Sequence, residues 1–425
     1  MDGPSPSGIR PMDDGFVTPG PANGSYVEID VGESLAEELN AILDDDDEFV
    51  EDMDWEVEKP VRPPQVSVLL VTHNGAGAVG YTLRSILTQS FADFEVLVVD
   101  DHSTDATRNI VGRVDDKRVR LISTPSHLGP VGARNFGFAQ CQGHYVAIVE
   151  QNDTWLPFRL ARQVAYLDLH KDTALVATAT EYLVDGKRVA SGGPAISNPG
   201  FLRWALLVGN PLVFSSVMVR KSAVESLGMF HREQCRFAED YDLYHRLVGV
   251  ARVARIDEVL TLHRGAPQPA NRTMSEAEIA SAARVLQDAY TPILGAGAAR
   301  SAQVIMRHVG AGEPVPDLMT LRLIEAVLQA MTQYVRNKFA VDEVARGLIA
   351  AERPALMQRL VRNALRSGTI SAQTLKREGL LDMAELPRGA LLRDSVLGSL
   401  RSVTNIGRSP QQPPPPHGPA AMVRG

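Results

Sequence analysis

The hydrophobic pattern changes character twice along this chain. Between residues 66 and 149, short apolar runs alternate with amphipathic stretches. Val66–Val71, Phe94–Val99 and Tyr145–Val149 are nearly unbroken apolar runs, as expected of parallel strands buried on both faces. Val119–Ser123 reads as a further strand, and 77–88, 104–113 and 129–140 read as helices. This β-α-β-α-β-α-β alternation predicts a doubly wound α/β sheet. Beyond about Ser275 the apolar positions recur at intervals of three and four, predicting helices over 276–290, 299–309, 317–335, 341–350 and 354–367.

The ends have no such pattern. Residues 1–25 are rich in Gly, Pro and Ser, a composition that favours disorder. Leu35, Leu39, Ile42 and Leu43 fall at helical spacing just before the acidic run Asp44–Glu48, which suggests a docking element for a protein partner. A proline run near 413–416 predicts an extended tail. The expected organisation is a leader over 1–63, an α/β domain over 64–270, a helical region over 271–400 and a tail over 401–425.

Composition refines this picture. With 44% hydrophobic and 22% charged residues, the chain is ordinary for a globular protein. Its net charge of −8 hides an asymmetry: the first 60 residues carry −16, leaving +8 on the remainder. A mildly basic body suits phosphate-bearing ligands. The two cysteines, Cys141 and Cys235, make neither a disulfide framework nor a metal knuckle. With no run that reads as a signal peptide or a membrane span, the expected location is the cytoplasm, with peripheral contact to the membrane face left open. No nucleic-acid partner is expected.

Open sheets of this kind bind ligands beyond the carboxyl ends of their strands. That rule selects Thr72–Asn74, Asp100–Ser103, the loop before Arg134, and Glu150–Asp153, all polar segments. Five segments then carry a resemblance. They are Val66–Asn74, Asp93–Thr107, Leu128–Gly137, His144–Pro157 and Phe237–Leu247. In this order, they resemble the motifs of family 2 glycosyltransferases across about half the chain.

The resemblance implies a GT-A type fold, a Rossmann-like mixed sheet flanked by helices, here followed by a helical C-terminal region. It implies an inverting transfer of a sugar from a nucleotide diphosphate sugar, by default a UDP-sugar, to a glycan, lipid-linked sugar, protein or metabolite. Thr72, His73, Asn74, Asp101, Arg134 and Glu150 fall where the family contacts the donor. Asp240 falls at the general base, and Glu239 beside it. Ser103 and Thr104 read instead as helix caps. The family's Asp-x-Asp cation motif is replaced by Glu150-Gln151-Asn152-Asp153. A Mn2+ or Mg2+ cofactor would therefore rest on Asn152, Glu150 and, from across the cleft, His263. The weakened motif leaves a second reading open, a non-catalytic nucleotide-sugar-binding adaptor.

Overall fold

The computed structural model describes residues 62–191, 197–264, 274–380 and Asp394. The leader, its expected helix near residues 34–43 and the proline tail lie outside these residues, as does the expected boundary near 270. The chain divides into two compact units, and the one described here comprises 54–184 and 188–425.

Strands β1 (Val66–Thr72), β2 (Phe94–Asp100), β3 (Val119–Ser123) and β4 (Tyr145–Glu150) form where the apolar runs predict them. They pair in parallel in the order β3-β2-β1-β4. Helices α1 (Val79–Leu87), α2 (Thr107–Gly112) and α3 (Gly129–Gln140) connect them. α3 lies very close to the sheet. A Cβ placed at Gly137 would sit 2.6 Å from Leu69 and Val99 side-chain carbons, so a side chain here would push the helix away.

Past β4 the sheet becomes mixed. The remaining strands are β5 (Asp153–Trp155), β6 (Thr173–Val184), β7 (Lys187–Ala190), β8 (Met218–Arg220) and β9 (Arg252–Arg264). β8 runs antiparallel to both β4 and β6, and the full order is β3-β2-β1-β4-β8-β6-β9-β5, with β7 paired to β6. β5 turns back from β4 to pair antiparallel with β9, opposing Asp153 to His263. Helices α4 (Arg159–Leu169), α5 (Pro199–Leu206), α6 (Lys221–Glu225) and α7 (Glu239–Val250) pack around this half.

The C-terminal region is helical, as expected: α8 (Glu276–Leu294), α9 (Ala298–Ile305), α10 (Leu318–Lys338), α11 (Glu343–Ser367) and α12 (Ala372–Arg377). Ser275 and Glu278 open α8 with a reciprocal capping box. The two helices expected either side of Pro354 are one, α11. Proline costs a helix about 3 kcal/mol. Ile349 before it, and Leu356, Met357 and Leu360 after it, are buried on the same core, and each buried side chain returns roughly 1.5–3 kcal/mol. These helices share one continuous apolar core with the sheet, joining Leu328 and Leu360 to Trp204 and Val219. Trp204 seals the join by donating its indole N–H to Thr332 Oγ1 at 3.1 Å. Among the described residues, no helix is long and apolar enough to cross a membrane.

Candidate functional site

The carboxyl ends of β1, β2 and β4 bring their loops together, and each loop is tied to another. Thr72 is 1% exposed and donates its hydroxyl to Gln151 Oε1 at 2.7 Å. His73 N–H donates to the same oxygen. Asn74 adopts φ 48°, a left-handed turn that asparagine tolerates, and its Oδ1 accepts from Thr104 N at 2.9 Å. Thr72 and Asn74 are therefore engaged in shaping the loops rather than pointing free toward a ligand. Ser103 and Thr104 do not cap α2, contrary to the sequence expectation. Asp105 takes the Thr107 N–H, while Ser103 accepts from Asn74 N.

Asp101 is also fully engaged. Its carboxylate is 2% exposed and accepts from Leu128 N at 2.8 Å, Gly129 N at 2.9 Å and Thr124 Oγ1 at 2.9 Å. It anchors the start of α3, where unpaired N–H groups favour an anion. The expected contact with a nucleobase would have to compete with these bonds. The exposed faces here are imidazoles: His73 and His127 lie with ring centroids 4.4 Å apart, and His73 Nδ1 is 2.7 Å from the Asp101 carbonyl oxygen.

Arg134 projects from the α3 so positioned. Its guanidinium reaches Glu239 Oε1 at 2.6 Å and Glu150 Oε1 at 3.3 Å, and stacks 4.7 Å over Phe214. It thus joins the end of β4 to the start of α7. Asn135 fastens the same helix to the 229–232 segment by exchanging hydrogen bonds with the His231 backbone at 2.8 and 2.9 Å. Burial raises the Glu239 carboxyl above its usual range, against the pull of Arg134.

Asp240 follows directly. Its Oδ2 accepts from Asn210 Nδ2 at 2.8 Å and its Oδ1 from Tyr241 N at 2.7 Å. The helix N-cap is Ala238, which makes no side-chain cap bond; Glu239 and Asp240 stand in the first turn, where Asp240 takes one free N–H with a single carboxylate oxygen. Asp240 keeps an open edge on a cleft of about 810 Å³, while protein atoms crowd its other sides. That crowding raises its pKa. The cleft runs between the sheet and the C-terminal helices, with Thr180, Trp204, Asn210 and His263 on one side and Met306 and Leu356 on the other.

The expected cation residues are less well gathered. Glu150 faces Arg134, and Asn152 is exposed with its carbonyl accepting from Arg264 N at 3.2 Å. His263 Nδ1 lies 2.7 Å from Asp153 Oδ1. Thr82 pins this corner with a hydroxyl 2.8 Å from the carbonyl oxygens of both Gln151 and Asp153, its one proton shared between them.

Residues 67–228 match the family described as Glycosyl transferase family 2. The chain carries a family 2 glycosyltransferase domain. It is 30% identical over 191 residues to the succinoglycan biosynthesis protein ExoO of Rhizobium meliloti, covering 43% of this chain and 55% of ExoO. It is 24% identical over 205 residues to WfaP of Escherichia coli, a UDP-Glc:alpha-D-GlcNAc-diphosphoundecaprenol beta-1,3-glucosyltransferase, covering 47% of this chain and 78% of WfaP. Among solved structures, S. aureus TarS 1–349 with UDP-GlcNAc aligns over 82% of this chain and 93% of its own, at 17% identity and a TM-score of 0.45. A mannosyltransferase from Pyrobaculum calidifontis with GDP-Man and Mn2+ aligns over 84% and 91%, at 17% identity and a TM-score of 0.41.

The family 2 match ends at residue 228, so α7 and Asp240 lie beyond it. Four further residues of the domain's cleft escaped sequence reasoning. Gln151, inside the altered motif, was within reach of it as a polar residue at a strand end. Asn210, His127 and Phe214 were not, because nothing in their local sequence tells that they meet Asp240, His73 and Arg134.

His231, beneath this site, supports a prediction of its own. It is fully buried against Phe230 and Phe214, and burial together with Arg134 pushes its pKa down to about 3. The folded protein therefore holds it neutral, whereas the unfolded chain takes up a proton near pH 6.5. Below that pH the unfolded state binds more protons, so this group lowers stability as pH falls, by up to about 1.4 kcal/mol per pH unit. Urea unfolding at successive pH values should show a shallower acid loss in His231→Phe than in wild type. Equal slopes would contradict this.

Proposed function

We propose that the domain is an inverting glycosyltransferase that uses a nucleoside diphosphate sugar, with UDP-sugars the first candidates, and Asp240 as its general base. The observation that carries this reading is the Arg134 bridge. It places the Glu239–Asp240 pair beside the end of β4, with contacts of 2.6 and 3.3 Å. The end of β4 and the carboxylate pair are thereby joined through one side chain.

In the proposed reaction the acceptor hydroxyl oxygen bonds to the anomeric carbon. The bond from that carbon to the diphosphate oxygen breaks, and its electron pair leaves with the nucleoside diphosphate. The hydroxyl proton passes to Asp240. The transition state has oxocarbenium character, as in glycoside hydrolysis, so a carboxylate on the attacking side serves both proton removal and charge. His73 and His127 offer ring faces to the nucleobase, and Asp101 holds the α3 N-terminus toward the phosphates. The cleft walled by α8, α11 and β6 receives the acceptor. The WfaP name makes a lipid-linked sugar the first acceptor class to test.

The direct test incubates the protein with a panel of nucleoside diphosphate sugars and measures thermal stability. A true donor at a hundred times its Kd adds about 2.7 kcal/mol. One nucleotide series should stabilise the protein. A panel without any shift would remove the donor reading and, with it, the nucleotide-sugar-binding adaptor.

A further inference from the structure

The β4–β5 corner is the place where the family resemblance puts a divalent cation, and its donor set does not suit one. Mg2+ and Mn2+ take hard oxygen ligands, carboxylates above all, and Mg2+ holds them in a strict octahedron. Beside Glu150 stands the Arg134 guanidinium at 3.3 Å, a positive charge that a divalent ion there would meet. Asp153 is 2% exposed and paired with His263 at 2.7 Å, and its charge is also felt by the buried Arg159. Asn152 supplies no charge. Among the described residues, the acid and imidazole groups close enough to share an ion are His73, Asp101 and His127, in the loops after β1, β2 and β3. There both Asp101 oxygens already accept backbone N–H groups.

The same corner is supplied with guanidinium groups instead. Arg134 approaches from α3 and is 16% exposed. Of its two ion pairs, the one to Glu150 is the longer, at 3.3 Å against 2.6 Å to Glu239, so one nitrogen can turn to a new acceptor while the other stays anchored. Arg264 leaves β9 directly beside Asn152, with its backbone N–H on the Asn152 carbonyl. Its guanidinium lies 4.0 Å over the Tyr81 ring and meets no carboxylate among the described residues. A guanidinium matches phosphate oxygens with two parallel hydrogen bonds and stays charged at any working pH.

We infer that this domain offsets the charge of the donor's diphosphate with Arg134 and Arg264 rather than with a divalent ion held at the β4–β5 corner. The inference rests on the donor reading given above. When the sugar–oxygen bond breaks, the electron pair gained by the diphosphate meets two fixed cations of the chain.

The test is isothermal titration of the full chain with UDP and with uridine, each in EDTA and in Mn2+, repeated with the GDP, TDP and ADP pairs. The bound diphosphate should have the same Kd in EDTA and in Mn2+. Arg134→Gln and Arg264→Gln should each weaken it about tenfold, ~1.4 kcal/mol, without changing nucleoside affinity. Arg134→Lys, which keeps a charge for Glu239, provides a second variant if Arg134→Gln melts early. The inference is overturned if Mn2+ tightens the diphosphate tenfold while leaving the nucleoside unchanged, or if both arginine variants bind the diphosphate as wild type does. Failure of every nucleotide and nucleoside to bind in either buffer is a different result. It would overturn the donor reading itself, and this inference with it.

Discussion

Asp240→Asn is expected to lower the rate of sugar transfer by about 10²- to 10⁴-fold, the usual contribution of a positioned general base. The substitution is nearly isosteric. The amide oxygen can keep the Tyr241 N–H, and Asn210 can turn its own amide to accept from the new NH2, so the fold and the nucleotide affinity should survive. What it loses is the capacity to take a proton. The pH dependence gives an independent check. Crowding by protein raises the Asp240 pKa, partly opposed by the bonds from Asn210 and Tyr241 and by Arg134. The base acts deprotonated, so activity falls as pH drops through this raised value. The acid limb of kcat/KM should lie above the ordinary aspartate range of about 3.9. Initial rates across pH for wild type and Asp240→Asn decide the matter. A variant retaining transfer within a few-fold of wild type would remove Asp240 from the mechanism.

Arg159→Leu should produce the largest loss of stability. Arg159 is fully buried at the start of α4, beneath the site. Its guanidinium donates to the carbonyls of Ser215 at 2.7 Å, Ile148 at 3.0 Å and Val217 at 3.3 Å, and to Gln163 Oε1 at 3.1 Å. It also stacks 3.8 Å from the Trp155 ring. These partners belong to β4, to the turn before β8, to α4 and to β5, so one side chain ties the parallel half of the sheet to the mixed half. Burial pulls its pKa down to about 9, still high enough to keep the charge at neutral pH. Leucine would fill much of the space and leave several buried acceptors without donors. Each orphaned group costs roughly 1–3 kcal/mol, so a loss of at least ~3 kcal/mol is expected in urea unfolding. Because Ile148 lies two residues before Glu150, nucleotide affinity should fall as well. A loss below about 1 kcal/mol would show that water or rearrangement satisfies these carbonyls.

Arg159 also shows where reading from sequence stopped. As a charged residue two positions after Pro157, it gives no local sign of being buried. Burial of a guanidinium depends on carbonyls delivered from about 11 and 58 residues away, which no window of sequence contains.

The strands β1 to β4 and the helices between them were legible because their cause is local. Runs such as Val66–Val71 and Phe94–Val99 are too apolar for anything but a strand buried on both faces. The polar ends of these strands followed from the same pattern, which is why Thr72, Asp101 and Glu150 were expected at the strand ends, where they lie. Their individual tasks were not legible. A carboxylate that holds a helix start and one that waits for a ligand have the same letter. Only the distances from Asp101 to Leu128 and Gly129 show the first role for that residue. The long C-terminal helices were periodic enough to predict, yet the expected interruption between 350 and 354 does not occur, because burial on the shared core carries one helix through Pro354.

What the sequence by itself determined, then, was the alternation of elements, the polar end of the sheet, and the family 2 motifs. Tertiary structure alone decided how charges pair across elements distant in the chain. Arg134 with Glu150 and Glu239, Asp240 with Asn210, and Asp153 with His263 are pairings of this kind. The physical reason is range. Hydrophobic periodicity is set by neighbours three or four residues apart, whereas an ion pair depends on where the whole fold brings two side chains together.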